Sequence, residues 1–292
     1  MAAFKQLLKT IRPPRLRGGE EDRQRHATWL ELLYDLVYVA AIAQLATQLF
    51  EHPDLAGAVT FAALFIPVWW SWVGHTFYLT RFDSEDMGQR LATAAQMVIV
   101  AFLAAYVPAA FSHEFAGFVI AYCLVRIVLI VQYFRAGRHI QPVRPLTQRY
   151  AVGFSIAVAL WLASLLVAAP WNYLIWALAI GVDTGTPFTA GRLHVRFPPH
   201  LMHLPERFGL FTIIVLGESI VAVVTAAGAK PISWGTGFVL VAGTVVALTI
   251  WAGYFVGAHA AEERDVSASQ NVRKYQRWLY SHLPLALGIV GF

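Results

Sequence analysis

Long apolar runs separated by short polar segments repeat along almost the whole chain. Seven runs approach or exceed the roughly 20 apolar residues that a helix needs to cross a bilayer, and two shorter runs continue the series. This pattern predicts an all-α, polytopic transmembrane helix bundle of about eight to nine spans, occupying residues 29–292. The predicted spans are 29–50, 56–80, 91–111, 115–135, 150–169, 171–183, 204–227, 234–258 and 278–292.

Residues 1–28 differ from the rest of the chain because they are polar and basic. They lack the apolar core and the small-residue cleavage site of a signal peptide. A short amphipathic stretch at residues 3–11 would lie on or near the membrane surface. We therefore expect a basic cytoplasmic N-terminal segment at residues 1–28.

The composition and the distribution of charge agree with a membrane location. Hydrophobic residues make up 58% of the chain and charged residues only 13%, which excludes an ordinary soluble domain. With the N-terminus inside, 20 of the 22 lysines and arginines fall in five inner segments. This bias predicts a multi-pass protein of the inner (plasma) membrane with a cytoplasmic N-terminus. The net charge of +5 is then a signal of orientation, so the expected partner is the lipid bilayer and not nucleic acid.

Several chemistries are excluded by residues that the sequence lacks. All four lysines (Lys5, Lys9, Lys230 and Lys274) lie outside the predicted spans, so a retinal Schiff base has no attachment point. There is no glycine-rich phosphate loop and no GxSxG nucleophile motif. The single cysteine, Cys123, excludes an internal disulfide. The sequence indicates no cofactor.

Two carboxylates stand near the start of the first predicted span. Glu31 and Asp35 are one helical turn apart and share a face. Two carboxylates so close together tend to raise the pKa of one of them, which suits proton exchange or cation binding. The alternative is that both side chains lie in the headgroup region and are simply hydrated.

The seventh predicted span carries charge much deeper in the membrane. Glu218 would lie roughly 18 Å along the helix axis, near the bilayer midplane, and Arg207 returns to nearly the same face. Glu206 lies in the first turn, where interaction with the helix dipole alone could explain it. Arg126 lies midway along the fourth span. We expect an ion pair between Arg126 and Glu218, acting either in transport or only in helix packing.

Histidines gather near the predicted inner ends of the spans. His75 is near the inner end of the second span, Asp183 ends the sixth, and His194, His200 and His203 crowd the inner loop before the seventh. We expect these groups to lie beside the carboxylates of the first and seventh spans. Such a cluster can bind a divalent metal or pass protons. Their spacing matches no compact signature such as HExxH, so a metal site is left open.

Two stretches match known sequence signatures. LELLYDLVYV at residues 30–39 resembles LELFFDLVFV, and HLPERFGLFTIIVLGES at residues 203–219 resembles HxxERFGxxxIxxLGES, the two signatures of the bacterial low temperature requirement A family. The resemblance covers most of residues 28–292. It implies a polytopic inner-membrane protein linked to growth in the cold, without a settled molecular activity. The matching positions are Glu31, Asp35, His203, Glu206, Arg207, Gly217 and Glu218, whereas Tyr34 and Tyr38 replace typical phenylalanines.

The resemblance also bears on the end of the chain. Family members commonly continue past this point, and the fifteen residues after Arg277 are too few to cross a membrane. Further C-terminal helices are therefore left open.

These observations favour transport or permeation of a small solute, ion or proton. The expected vestibule faces the cytoplasm and leads toward Glu218 and Arg126. Its expected lining is Glu31, Asp35, His75, His203, Glu206 and Arg207. Two alternatives stay open: a membrane-embedded enzyme acting on a lipid or isoprenoid, and a structural or sensory module in which the buried charges fix helix packing.

Overall fold

Nine long helices and one short helix make up most of the part of the chain that the structure describes. The computed structural model describes residues 12–17, 27–83, 86–112, 114–191, 193–199, 203–229, 231, 233–258 and 272–291. The helices are α1 (Trp29–Glu51), α2 (Leu55–Arg81), α3 (Met87–Tyr106), α4 (Ala116–His139), α5 (Arg144–Ala163), α6 (Trp171–Ala190), α7 (Leu193–Arg196), α8 (His203–Gly228), α9 (Trp234–Ala252) and α10 (Val272–Val290). Two short strands, β1 (Arg15–Leu16) and β2 (Phe82–Asp83), complete the elements used below.

The predicted all-α transmembrane bundle is confirmed. Seven segments within the described residues are long and apolar enough to cross a membrane. They correspond to α1 to α5, α8 and α9, with short 3₁₀ or π turns extending three of them. The two shorter predicted runs form α6 and α10, of 20 and 19 residues.

Helix α6 continues seven residues past the predicted end of its span. Residues 184–190 include three threonines, which an apolar count treats as the end of the run. In the helix, the hydroxyl of Thr184 donates to the carbonyl of Ile180 at 2.7 Å, and that of Thr186 donates to the carbonyl of Val182 at 2.8 Å. Because these hydroxyls bond to the preceding turn, they need no water and do not interrupt the helix.

Helix α2 occupies the middle of the bundle. It packs against α1, α4, α6, α8 and α10. Every residue from Pro67 to Arg81 is buried, so this half of the helix has no face toward solvent or lipid. Side-chain polar groups on this half of the helix can therefore find partners only on neighbouring helices or in the preceding turn.

Most of the arginines between helices gather at one end of the bundle, which we call the basic end. Here β1 pairs antiparallel with β2, joining the N-terminal segment to the end of α2. Asp86, the N-cap of α3, forms an ion pair with Arg135 of α4. Arg135 also donates to the carbonyl of Arg12 at 2.5 Å. Part of the basic N-terminal segment is therefore bound to the bundle, whereas its amphipathic stretch at residues 3–11 lies outside the described residues.

The short helix α7 is held at the basic end by His194. Nη2 of Arg81 donates to Nδ1 of His194 at 3.3 Å, so Nδ1 is the unprotonated nitrogen. Nε2 then carries the proton and donates to the carbonyl of Pro187 at 2.9 Å, with the hydroxyl of Tyr150 at 3.3 Å. This arrangement requires a neutral imidazole. Burial, together with the positive charge of Arg81, lowers the pKa of His194 to about 4.

The buried neutral histidine predicts that the protein loses stability in mild acid. The unfolded chain binds the His194 proton near its ordinary pKa of about 6.5, but the folded protein resists it until about pH 4. The contribution of neutral His194 to the free energy of unfolding is therefore complete above pH 6.5. It is lost as the pH falls toward 4, and the loss reaches about 3 kcal/mol. Thermal unfolding in detergent should show this loss, and His194→Gln should reduce the dependence between these pH values. An unchanged pH profile in His194→Gln would contradict the assignment.

Candidate functional site

A buried arginine joins the first two turns of α1 and α8. Nη2 of Arg207 donates to Oδ1 of Asp35 at 2.6 Å, and Nη1 lies 3.4 Å from Oε2 of Glu31. Both Arg207 and Asp35 have no exposed surface, and Glu31 is 5% exposed. Trp72 of α2 donates its indole N–H to the same Oδ1 of Asp35 at 2.7 Å. One guanidinium is thus shared by two carboxylates in a largely dry environment.

A histidine continues this group toward the basic end. Nε2 of His203 lies 3.4 Å from Oε2 of Glu31, and Nδ1 lies 3.4 Å from Oε2 of Glu206. Glu206 is at the edge, with 29% of its side chain exposed, and its Oε1 accepts from the backbone N–H of Ala27 at 3.3 Å. We call Glu31, Asp35, His203, Glu206 and Arg207 the acid–base cluster.

Local sequence explains why Glu31 stands at this position. Thr28 is the N-cap of α1, and its hydroxyl accepts from the N–H of Glu31 at 3.3 Å. The Glu31 carboxylate in turn accepts from the N–H of Thr28 at 2.9 Å, which completes a capping box. Asp35 follows one turn later on the same face, so Arg207 can reach both carboxylates.

Beside the acid–base cluster, aromatic and hydroxyl groups extend deeper into the bundle. The hydroxyl of Tyr34 donates to that of Tyr38 at 3.3 Å, and Tyr38 lies 2.9 Å from the hydroxyl of Ser71. Ser71 donates to the carbonyl of Val68 at 2.7 Å, so its oxygen is left to accept from Tyr38. His75 stacks on Tyr34 with ring centroids 4.2 Å apart. Within the described residues, no hydrogen bond of ordinary geometry reaches either ring nitrogen of His75.

A second buried ion pair is separate from this group. Arg126 of α4 bonds to Oδ1 of Asp183 of α6, and both side chains are completely buried. The hydroxyl of Tyr122 donates to Oδ2 of Asp183 at 2.7 Å. The guanidinium carbon of Arg126 lies 4.1 Å from the centre of the Phe154 ring. Each Asp183 oxygen therefore has a donor, and one face of Arg126 is covered by an aromatic ring.

The expected pair between Arg126 and Glu218 is wrong. Arg126 forms its ion pair with Asp183 instead, and no ion pair or hydrogen bond of Glu218 occurs among the described residues. Depth along a helix does not determine which neighbour a side chain faces: α4 packs on α3, α5 and α2, whereas α8 packs on α9, α10, α1 and α2. Glu218, about 22 Å along α8 from His203, is only half-buried.

The expected gathering of histidines and carboxylates is only partly correct. The structure brings His203 together with Glu31, Asp35, Glu206 and Arg207, and it places His75 against Tyr34 nearby. Asp183 and His194 lie elsewhere, because the first is bound to Arg126 and the second to Arg81. His200 is outside the described residues. Within the described part of the chain, no three His, Cys, Asp or Glu side chains are arranged to hold a metal ion.

A groove at the basic end leads to the acid–base cluster. It has a volume of about 540 Å³ and lies between the first turns of α1 and α3 and the last turn of α2. Glu31 is part of its wall, so the groove gives access from outside the bundle to one member of the cluster. Its lining comprises Arg17, Thr28, Trp29, Leu30, Glu31, Leu79, Gln89, Arg90, Leu91, Thr93 and Ala94.

Comparison with known proteins fixes the family of this chain. The profile described as "Bacterial low temperature requirement A protein (LtrA)" matches residues 26–292. The chain belongs to the LtrA family. An uncharacterized protein of Rhizobium meliloti (strain 1021) is 27% identical to it over 285 residues, covering 93% of this chain and 69% of that protein. No solved structure matches the chain.

Sequence reasoning missed three residues that shape the site of this LtrA-family chain. Trp72 and Tyr122 are donors to the buried aspartates, but tryptophan and tyrosine are common in membrane helices and give no separate signal. Gly74 is the third. A Cβ there would lie 2.7 Å from Nη1 of Arg126 and 2.9 Å from Cδ2 of Leu129. The absence of a side chain at Gly74 is thus what lets Arg126 lie against α2.

We predict that Gly74→Ala destabilises the protein. The added methyl group would displace the Arg126 guanidinium in a closely packed interior, at a cost of about 1–3 kcal/mol. Gly181→Ala in α6 is the matched control, because nothing lies within 4 Å of a Cβ at that position. Thermal unfolding in detergent should show a lower midpoint for Gly74→Ala and an unchanged or higher one for Gly181→Ala. Equal midpoints for the two variants would contradict the assigned packing.

The second ion pair should behave as a unit. Arg126→Leu or Asp183→Leu alone leaves a buried charge without its partner and should cost about 3–5 kcal/mol. The double variant removes both charges and should cost less than either single change. Unfolding free energies of the three variants measure this coupling. Additive losses in the double variant would show that the two side chains do not depend on each other.

Proposed function

We propose that this LtrA-family chain transports a small solute or ion across the membrane, with proton exchange at the acid–base cluster. The main support for the proposal is the net charge of the buried part of the acid–base cluster. Glu31 and Asp35 together exceed the single positive charge of Arg207 by one negative charge when His203 is neutral. An uncompensated charge in a membrane protein's interior is expensive, so binding one proton or cation would be favourable there.

His203 is the proposed acceptor of that proton. Its two ring nitrogens face carboxylates on different helices, Glu31 on α1 and Glu206 on its own helix α8. A protonated ring can donate to both sides at once, whereas a neutral ring has only one N–H. Protonation would therefore strengthen the contact between α1 and α8, and deprotonation would weaken it. This coupling of a proton to a helix contact is what a transport cycle requires.

The surroundings of the cluster also support passage through the bundle. The groove reaches Glu31 from the basic end, and His75 with the hydroxyls of Tyr34, Tyr38 and Ser71 extends polar groups farther inside. Chains of ionisable and hydroxyl side chains are typical of proton relays in membrane proteins. We propose that the basic end faces the cytoplasm of the inner membrane, in keeping with the distribution of arginines. Glu218, deep in α8 and half-buried, stays a candidate coupling carboxylate in this proposal.

The transport function is tested by proton entry into proteoliposomes. A trapped pH dye would report entry while pools of amino acids, sugars, nucleobases and inorganic ions are added in turn. We expect proton entry with at least one pool, and His203→Gln or Asp35→Asn should reduce it at least about tenfold, because each removes a charge-assisted hydrogen bond.

His139→Gln is the control, since His139 is exposed at the basic end and outside the cluster. It should leave proton entry unchanged. Circular dichroism and gel filtration would establish that every variant is folded. The absence of proton entry with every pool, or full activity of both cluster variants, would contradict the proposal.

A further inference from the structure

The groove at the basic end contains a hydrogen-bond acceptor that the protein leaves open. Oε2 of Glu31 is used by the N–H of Thr28 and lies near His203 and Arg207. Oε1 of the same carboxylate accepts no hydrogen bond from the described residues, although Glu31 is only 5% exposed. Because Glu31 lines the groove, this free oxygen marks a place where a donor can bind.

A second polar side chain in the groove also lacks a partner. Gln89 is 3% exposed, and Nε2 of its amide donates to the hydroxyl of Thr93 at 3.3 Å. Its Oε1 has no partner among the described residues, but it is buried and out of reach of a ligand in the groove. Glu31 therefore supplies the acceptor that a ligand can reach. A negatively charged acceptor suits a group that carries several N–H donors and a positive charge, such as a primary ammonium.

The rim and the remaining walls specify the rest of the ligand. Arg90, which is exposed, lines the groove and offers positive charge for an anion. Trp29, which is 88% exposed, and Leu91, 51% exposed, provide apolar surface at the end of a membrane-spanning bundle. A ligand that complements all three features has an ammonium, a nearby anionic group and apolar chains.

We infer that this groove binds a phospholipid with a primary-amine headgroup, with its ammonium at Glu31 and its phosphate at Arg90. The acyl chains would run along Trp29 and Leu91. A quaternary ammonium has no N–H to donate to Oε1 of Glu31, and an uncharged headgroup cannot form the ion pair. The groove therefore selects phosphatidylethanolamine over phosphatidylcholine and phosphatidylglycerol. This inference does not depend on the proposed transport function.

Native mass spectrometry of the purified chain can measure this selection. The protein would be titrated with phosphatidylethanolamine, phosphatidylcholine and phosphatidylglycerol that have the same acyl chains. We expect phosphatidylethanolamine to bind about tenfold more tightly than either of the others, which corresponds to one charge-assisted hydrogen bond. Equal or tighter binding of phosphatidylglycerol would overturn the inference, because it would show that Glu31 does not select the headgroup.

Two variants locate the binding at the groove. Arg90→Ala changes an exposed arginine of the rim and should weaken phosphatidylethanolamine binding severalfold, whereas Arg138→Ala should leave it unchanged, since Arg138 is exposed outside this groove. Glu31→Gln should abolish the preference for phosphatidylethanolamine over phosphatidylcholine. If Glu31→Gln does not fold, the Arg90→Ala and Arg138→Ala comparison still decides the location. Equal binding to those two variants would overturn it.

A water-soluble headgroup distinguishes a lipid from a free zwitterion. Glycerophosphoethanolamine has the same charges but no acyl chains, so it should not displace phosphatidylethanolamine at millimolar concentration. Displacement at that concentration would overturn the lipid assignment in favour of a soluble ligand. Because these measurements are of binding at equilibrium, they are independent of the outcome of the proton-flux experiment.

Discussion

The rest of the structure depends on how charge is neutralised around the buried half of α2. An ion moved into a protein interior costs several kcal/mol, and the attraction to a partner offsets this only with good geometry and further hydrogen bonds. From Pro67 to Arg81 the helix has no exposed face, yet three arginines lie on or against it. Arg126 packs over Gly74, Arg81 ends the helix, and Arg207 shares Asp35 with Trp72. The positions of α1, α4, α7 and α8 follow from these contacts.

The two deep ion pairs differ in how completely their groups are satisfied. Both oxygens of Asp183 have donors, whereas Oδ2 of Asp35 has none among the described residues. The Asp183 carboxylate is therefore suited to fixing helices, because an additional donor would have to displace one of its existing bonds. The Asp35 pair has remaining capacity and lies next to a histidine and a groove. The chain thus contains one buried aspartate whose two oxygens both have donors and one that can still accept a hydrogen bond.

The sequence was sufficient to predict nearly all of the fold and part of the site. Apolar run length predicts the long helices because membrane-spanning segments must satisfy their backbone groups internally. The closeness of Glu31 and Asp35 follows from helical spacing alone. The partner of Arg126 could not be found in the same way, because depth along a helix says nothing about which neighbour its side chain faces. Choosing Asp183 over Glu218 required knowing the directions of the side chains, since α4, α6 and α8 all lie against α2.

The binding of residues 12–17 to the basic end has a consequence for the order in which the protein is made. The carbonyl of Arg12 accepts its hydrogen bond from Arg135, a residue 123 positions later in the chain. During synthesis the N-terminal segment emerges first but has no complete binding surface until α2, α3 and α4 have been made. Strand β1 can therefore pair early with β2, but its contact with Arg135 can close only after the fourth helix has left the ribosome. That hydrogen bond would mark the completion of the first half of the bundle during membrane insertion.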